Sequence, residues 1–553
     1  MQEIELKFLI PPARLKGLMR QAKVKSSQDI HMAAHYYDTP EQDLAQAGIG
    51  LRIRQEGDAW VQTIKAGGDG IAARLEHNTI LDNEHVQAML DADELMPDLI
   101  LYEDPAIAPA LADFKLKKLA KKLTRQYMTD VQRTTRLLED DSSKESSTNE
   151  DSNEDSNEDS NEENRSKKSS TIEVAYDIGQ IIHGNDDSQC QDIHEIEFEL
   201  VSGELEFLFA TAKLWCKRYK LCLSTVTKAE RGGLLIKGEN YSPAVCADLK
   251  HLNVDQDSSM PTFVRAAVHN CLLQILPNSS AIAAGSQDNE HVLQLRIGLR
   301  RLHIALKAFK KFSDQLNTEW HSILKQTATL LGDYRELAHL ATTIEPKLQQ
   351  HGAPSLDWTE NIERIKVKPI DAVRANDFQL TLLELIEFTM SDPSTEPQAS
   401  TLAIDKLPKI LAKKHIKLLK AEQDFDDLAP DYLDLDDLEA DNAERNSLVS
   451  DDLDSNPVHK VRRHLKDLRY LSEFAAPLYS KKKSKRWLKR LIKAQKSLGQ
   501  YQDHRYYQQC YQQKSLTDPN ALYGAGWFAA TLKNDRNRLQ KRLARIQDRP
   551  TFW

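Results

Sequence analysis

The first eight residues already hold a pattern with chemical meaning: Glu3, Glu5 and Lys7 alternate with Ile4, Leu6 and Phe8. Successive side chains of a strand point to opposite faces, so one face here is charged and the other apolar. The pattern recurs. Arg52 with Arg54, Thr63 with Lys65, Arg74 with Glu76, Glu173 with Asp177, and the trio Glu195, Glu197 and Glu199 each share a face. A solvated face gains nothing from gathering acids on some strands and bases on others, because like charges on one strand and across strands repel. A closed lumen that holds a polyanion and divalent metals gives each cluster a task. Carboxylates bind hard cations through oxygen, and Lys and Arg neutralise phosphate oxygens. A second set lies far along the chain, where His459, Arg462, Arg463, Lys466 and Arg469 recur at spacings of three and four, one stripe of a helix. Arg296, Arg300, Arg301 and His303 form a similar stripe. Cations gathered without nearby acids repel one another, which points to a polyanionic partner.

The elements that must position these residues change type partway along the chain. From Met1 to about Ile236 the period is two, in segments such as EIELKFLI, GLRIRQEG, WVQTIKAG, STIEVAYDIG and HEIEFELVSG, which predict strands of an antiparallel sheet. Helical stretches intervene near Ala13 to Ala22 and Leu205 to Lys220. The repeated S-N-E-D tract over 139–164 is too polar to bury anything and separates two strand-like segments, so it reads as an insertion at a hairpin tip, where a long loop costs little. Residues 237–254 read as a linker, and 255–553 as all-helical, interrupted by an acidic loop over 424–454. Within that half, LQLRIGLRRL (Leu293 to Leu302) resembles HKVRRHLKDL (His459 to Leu468), and LLGDYRE (Leu330 to Glu336) resembles SLGQYQD (Ser497 to Asp503), at nearly one offset. Two related helical bundles are expected. The fold class is α+β.

The net charge of -10 conceals a basic body. Residues 139–163 hold 12 acids against one Lys, and 424–454 hold 13 against one Arg; without them, 59 acidic face 72 basic residues. KKKSKRWLKRLIK (Lys481 to Lys493) adds eight cations around Trp487. Nucleic acid binding through backbone phosphates is the weaker reading of that run, because no base-reading motif accompanies it. Six cysteines without C-x-x-C spacing predict neither a zinc site nor a disulfide framework. The charged N-terminus and the lack of any apolar run near 18 residues predict a cytoplasmic protein with no membrane span.

Taken in order, E-x-E-x-K at the N-terminus, YYDT (Tyr36 to Thr39), GLRIR (Gly50 to Arg54), T-x-K (Thr63 to Lys65), IEVAYD (Ile172 to Asp177), EIEFEL (Glu195 to Leu200) and TKAERG (Thr227 to Gly232) resemble the CYTH, or triphosphate tunnel metalloenzyme, family over residues 1–236. The resemblance implies an eight-stranded antiparallel β-barrel, a tunnel that binds triphosphate with Mg²⁺ or Mn²⁺. It puts metal-binding carboxylates at Glu3, Glu5, Glu197 and Glu199, with Glu76, Asp177, Glu195 and Glu173 in support. Phosphate-binding cations fall on Lys7, Arg52, Arg54, Lys65, Arg74, Arg125 and Lys228. Glu5 and Glu197 carry the catalytic metals in this reading, and Lys65 is a rival for activating water if neighbouring cations depress its pKa. The family's R-x-E-x-E appears here as Arg74-x-Glu76-x-Asn78, one acid short. H-x-x-R-x-x-x-K-x-x-R-Y (His459 to Tyr470) resembles the CHAD domain, a helical module associated with polyphosphate, and this makes Arg296, Arg300, Arg301, His459, Arg462, Arg463, Lys466 and Arg469 candidate polyphosphate ligands. The two-part layout is similar to bacterial proteins that cleave inorganic triphosphate. Alternatives are a polyphosphate-binding protein without catalysis, and a hydrolase or cyclase acting on thiamine triphosphate or ATP.

Overall fold

The computed structural model describes residues 2–22, 26–68, 71–92, 94–102, 108–140, 169–427, 457–547 and 549–553. Most of the acidic insertion and of the acidic loop expected from the sequence lies outside the described residues. The chain divides into two compact units, Met1–Pro243 with Leu382–Glu387, and Ala244–Thr381 with Phe388–Trp553.

The first unit is built on an antiparallel sheet. Its strands are β1 (Gln2–Leu9), β2 (Gln28–Asp38), β3 (Ile49–Glu56), β4 (Ala59–Ala66), β5 (Ala73–Leu81), β6 (Thr124–Glu139), β7 (Thr171–His183), β8 (Asp186–Ser202) and β9 (Cys222–Leu223). Their order is β5-β4-β3-β2-β6-β7-β8-β1-β9. Among the described residues nine strands stand where eight were expected, because Cys222 and Leu223 add a two-residue strand to β1 and Ser224 N–H donates to Lys7 O. Over Gln2–Ile4, β1 also pairs with β5, with Glu3 opposite Arg74. The strands flanking the acidic insertion pair with each other up to Glu139 opposite Thr171.

Period two sorts the side chains as the sequence predicts. On the outer face of β3 and β4, Leu51, Ile53 and Ile64 pack with Val86, Leu99, Tyr102 and Leu111 from the segments that cross over them. Phe8 and Phe198 meet edge to face at 5.7 Å on the outer side of β1 and β8, and Trp215 of the helix Leu205–Tyr219 packs on Phe198. The opposite faces carry the charged residues. Farther along β2, β6, β7 and β8 this charged interior gives way to an apolar cluster of Met32, Ala34, Val131, Ile181 and Ile193.

The second unit is helical. Met260–Ala283, Asn289–Phe309 and Trp320–His339 follow one another in the first repeat, and Ala403–Asp426, Pro457–Ala475 and Lys481–Ser515 in the second, with Leu522–Gln547 last. The similar segments noted in the sequence fall on the second and third helices of each triplet. The two triplets pack against each other. Arg301 of the first repeat is fully buried, 3.8 Å from Glu473 of the second and over the ring of Phe474, so both repeats share one core. Among the described residues, no helix is long and apolar enough to cross a membrane.

Candidate active site: a cavity of carboxylates and cations

A cavity of about 1030 Å³ opens on the charged face of the sheet. Its wall includes Glu3, Glu5 and Lys7 of β1, Tyr36 of β2, Arg52 and Arg54 of β3, Thr63 and Lys65 of β4, Glu76 and Asn78 of β5, Arg133 of β6, Glu173 of β7, and Glu197 and Glu199 of β8. Lys228 enters from the helix Lys228–Ile236.

The local sequence fixes that helix. Thr227 caps it, accepting from Glu230 N–H at 3.0 Å, in the T-x-x-E arrangement that starts helices. Gly232 lets it lie against Tyr127: a Cβ there would sit 2.1 Å from the ring, whose hydroxyl donates to Ala229 O at 2.8 Å. The TKAERG segment thus supplies a cap, a cation and a close approach, and Lys228 is aimed inward at the first helical position.

Charge on the cavity wall and buried beneath it falls into two sets. In the deeper set, carboxylate oxygens of Asp177, Glu195 and Glu197 lie within 4.8 Å of one another. Lys228 Nζ stands among them, 2.7 Å from Asp177 and 2.9 Å from Glu197, and is also paired with Glu195. Arg133 grips Asp177 through two hydrogen bonds of 2.7 and 2.6 Å and reaches Glu197 at 2.5 Å. Burial alone would raise the Glu197 pKa, but Lys228, Arg133 and Lys7 outweigh it and hold the carboxylate well below its usual range. These acids are expected metal ligands, yet they hold protein cations.

Arg133 escaped the sequence reading, which chose Arg125. The two differ by an even number, so an uninterrupted strand would turn both inward. The β2–β6 register shifts between Tyr36 and Tyr37, where Tyr36 faces Tyr127 and Tyr37 faces Arg125. Such an extra residue reverses the alternation beyond it. Arg125 is therefore exposed and off the cavity wall, while Gln126 lies on it. Arg133 stands opposite Asp177 in the β6–β7 register, a pairing visible only in the structure. The side chain of Arg74 lies outside the described residues.

In the shallower set the acids outnumber the bases. The register places Glu5 opposite Glu199 and Glu199 opposite Glu173, so three carboxylates line up across β1, β8 and β7. Burial, with Glu173, Glu5 and Glu76 nearby, pushes Glu199 up to about 7 despite Lys65. Glu3 rises to about 8, from burial first and then a hydrogen bond with Glu76. Burial would also raise Glu76, but that hydrogen bond and Lys65 pull it below its usual range. Lys65 bridges Glu3 and Glu76 at 2.8 and 2.7 Å. Its surroundings do not favour the expected loss of a proton: against burial, Glu5, Glu3 and Glu76 raise its pKa. The lowered amine is Lys7, where burial outweighs Glu195 and Glu197, and its Nζ donates to Val226 O. Carboxylate oxygens suit a hard divalent cation; among the described residues the acids whose oxygens converge within 4.8 Å are Asp177, Glu195 and Glu197, while Glu3, Glu5, Glu76, Glu173 and Glu199 line the cavity.

Between the sets stand the cations of β3. Arg52 donates to Tyr36 Oη at 3.3 Å and lies 3.9 Å from Glu76. Arg54, paired with Glu56, has a pKa lowered to about 10 by burial and by Arg52.

In the helical unit the expected ligands separate. Arg296 lies 3.8 Å from Glu336, Arg462 donates to Gln502 at 2.8 Å, and Arg300 and Lys466 join them in one cluster. Arg469 turns to Glu473 at 2.8 Å and over Tyr470. His459 and Arg463 are half-buried on the same helix. Arg301 points into the core, donating to Asn270 at 2.7 Å and Gln274 at 3.0 Å, and is a packing group because its position on the helix faces the neighbouring repeat.

The CYTH domain family matches residues 1–232, and the CHAD domain family matches residues 266–512. An inorganic triphosphatase of Haemophilus influenzae is 31% identical over 242 residues, 42% of this chain and 55% of that protein, so the chain spans about half the length of the curated relative it matches. Among solved structures, the CHAD domain from the plant Ricinus communis is 22% identical, with 55% of this chain and 96% of that one covered and a TM-score of 0.41. PptA from Streptomyces chartreusis is 16% identical, covering 52% of this chain and 96% of its own, with a TM-score of 0.35. Residues 1–232 thus carry a CYTH domain match and residues 266–512 a CHAD domain match within one chain.

Proposed function

We propose that the N-terminal unit hydrolyses inorganic triphosphate to pyrophosphate and phosphate with Mg²⁺ or Mn²⁺, inside an eight-stranded tunnel, and that the helical unit binds polyphosphate. The observation that carries the reading is the convergence of Lys7, Arg52, Arg54, Arg133 and Lys228 with Glu3, Glu5, Glu76 and Glu199 on one cavity. The tunnel is supported by the two edges of β1, one paired with β8 and the other with β5, which joins the ends of an eight-strand order.

Arg52, Arg54 and Lys7 would neutralise phosphate oxygens, and guanidinium groups held by packing offset charge as it develops in phosphoryl transfer. Lys228 and Arg133 fix Asp177, Glu195 and Glu197 beneath them, so the floor of the site does not reorganise. Lys65, an ammonium, orients Glu3 and Glu76. A divalent ion on Glu3, Glu5, Glu76 and Glu199 would supply Lewis acidity and a water of lowered pKa. An inorganic substrate is favoured because the aromatic rings on the wall are engaged: Tyr36 and Tyr127 stack on each other at 4.7 Å, and Tyr37 donates to Leu95 O. Six free cysteines suit a reducing cytoplasm.

One observation favours binding without cleavage: Asn78, neutral where the family has an acid, spends its Oδ1 on Thr63 at 2.7 Å. Phosphate release from tripolyphosphate, ATP and thiamine triphosphate, each with Mg²⁺, Mn²⁺ and chelator, separates the readings. The expected result is metal-dependent release from tripolyphosphate foremost. Release from none of them supports binding alone, and a preference for ATP or thiamine triphosphate overturns the inorganic assignment.

A further inference from the structure

The helical unit gathers cations against one another, and one of them is a lysine. Arg296 and Arg300 stand one turn apart on the helix Asn289–Phe309, and Arg462 and Lys466 one turn apart on Pro457–Ala475. The buried Arg301–Glu473 contact holds these helices together. Arg296 has Glu336 within 3.8 Å and Arg462 has Gln502 at 2.8 Å. Lys466, half-buried, makes no hydrogen bond or ion pair among the described residues. The charges facing it are Arg300, Arg462 and Arg296, opposed by Asp503. Burial first, and these guanidinium groups next, push its pKa well below that of an ordinary lysine. A neutral amine is a nucleophile, and arginines around it form a cradle for a phosphate group.

We propose that Lys466 is a modification site acylated by small acyl phosphates, whose phosphate group is held by Arg296, Arg300 and Arg462. In the step, the Lys466 nitrogen lone pair attacks the acyl carbon and a C–N bond forms. The bond from that carbon to the phosphate oxygen breaks, and inorganic phosphate leaves with the electron pair. The nitrogen gives its surplus proton to water. Nothing is oxidised or reduced. The arginines act on the leaving group, where negative charge grows. The product is a neutral amide, so the cluster loses one cation. If the helical unit binds polyphosphate, as proposed above, acylation weakens that binding; the acylation itself does not depend on that reading.

The test is to incubate the full chain with acetyl phosphate near neutral pH and follow acetylation peptide by peptide by mass spectrometry. Lys466 is expected to react about tenfold faster than Lys489, an exposed lysine on the helix Lys481–Ser515. Excess pyrophosphate should slow Lys466 and leave Lys489 unchanged. Arg300→Gln should remove the advantage and Arg300→Lys should keep much of it; circular dichroism checks the fold, and Arg462→Gln replaces a variant that has lost it. A rate at Lys466 no greater than at Lys489, or one that pyrophosphate leaves untouched, overturns the proposal.

Discussion

The sheet unit and the helical unit both bury positive charge, and they balance it in opposite ways. In the sheet unit Lys228 has three carboxylates around it and Arg133 has two. In the helical unit Lys466 has three guanidinium groups facing it and Asp503 as the opposing acid. A buried charge with its partners present is held in place, and removing one partner strands the others in a poorly solvating interior. A cation among cations repels its neighbours, a cost that a bound anion would offset. The first arrangement builds a rigid floor, and the second leaves its repulsion standing.

Substitution should expose this difference in sign as well as size. Lys228→Met leaves Asp177, Glu195 and Glu197 facing one another, and should cost the sheet unit about 3–5 kcal/mol, the range for breaking a buried ion pair. Hydrogen exchange resolved by unit measures it, and a loss under about 1 kcal/mol would mean the deeper carboxylates are not committed to protein cations. Within the sheet unit, Mg²⁺ at about one hundred times its dissociation constant should stabilise by about 2.7 kcal/mol. Glu199→Gln should reduce that gain, because it removes a donor from the shallower set, whereas a ligand role for Glu195 predicts an equal reduction in Glu195→Gln.

The smallest effect belongs to the helical unit. Lys466→Met should be neutral or stabilising, by up to about 1 kcal/mol, because it relieves repulsion and a half-buried charge is partly screened. The pH dependence carries the same sign. Lys466 has a lowered folded pKa, so below its ordinary value of 10.5 the unfolded chain binds a proton that the folded chain holds weakly, and stability rises with pH up to that value. Lys228 is the reverse: its pKa is raised by Asp177, Glu195 and Glu197 against burial, so its contribution is present below 10.5 and lost as pH climbs through the folded value. Urea unfolding followed by helical signal from neutral to alkaline pH should show a positive slope that Lys466→Met flattens. An unchanged slope would place the effect elsewhere.

Much of the site was legible because period two is strict on regular strands. Glu3, Glu5, Lys7, Arg52, Arg54, Lys65, Glu197 and Glu199 all face the cavity for that reason. Arg125 and Arg133 were confused because one register shift inverts the pattern, and nothing in the letters marks it. Depth along the strand was also invisible. Glu195 and Glu199 look alike in EIEFEL, but Glu195 lies toward the apolar cluster of Ile181 and Ile193 and Lys228 claims it, while Glu199 lies beside the further acids Glu173, Glu5 and Glu76. On the helices, Arg300 and Arg301 are neighbours in sequence and one of them points into the core, since a turn of 100° per residue sends adjacent side chains apart. The repeat was readable from two pairs of segments, but the shared core was not, because a repeat specifies similar helices and not what lies between them.

The claim on which the account turns is that the shallower carboxylates serve a metal and the reaction while the deeper ones serve the fold. Single-turnover phosphate release from tripolyphosphate with Mg²⁺, compared between wild type and Glu5→Gln, tests it most directly. A loss of about 1000-fold with the unfolding profile unchanged is the predicted result, the size seen when one key electrostatic group leaves an active site. A Glu5→Gln rate within about twofold of wild type, far inside the roughly 100-fold minimum for such a group, would contradict it.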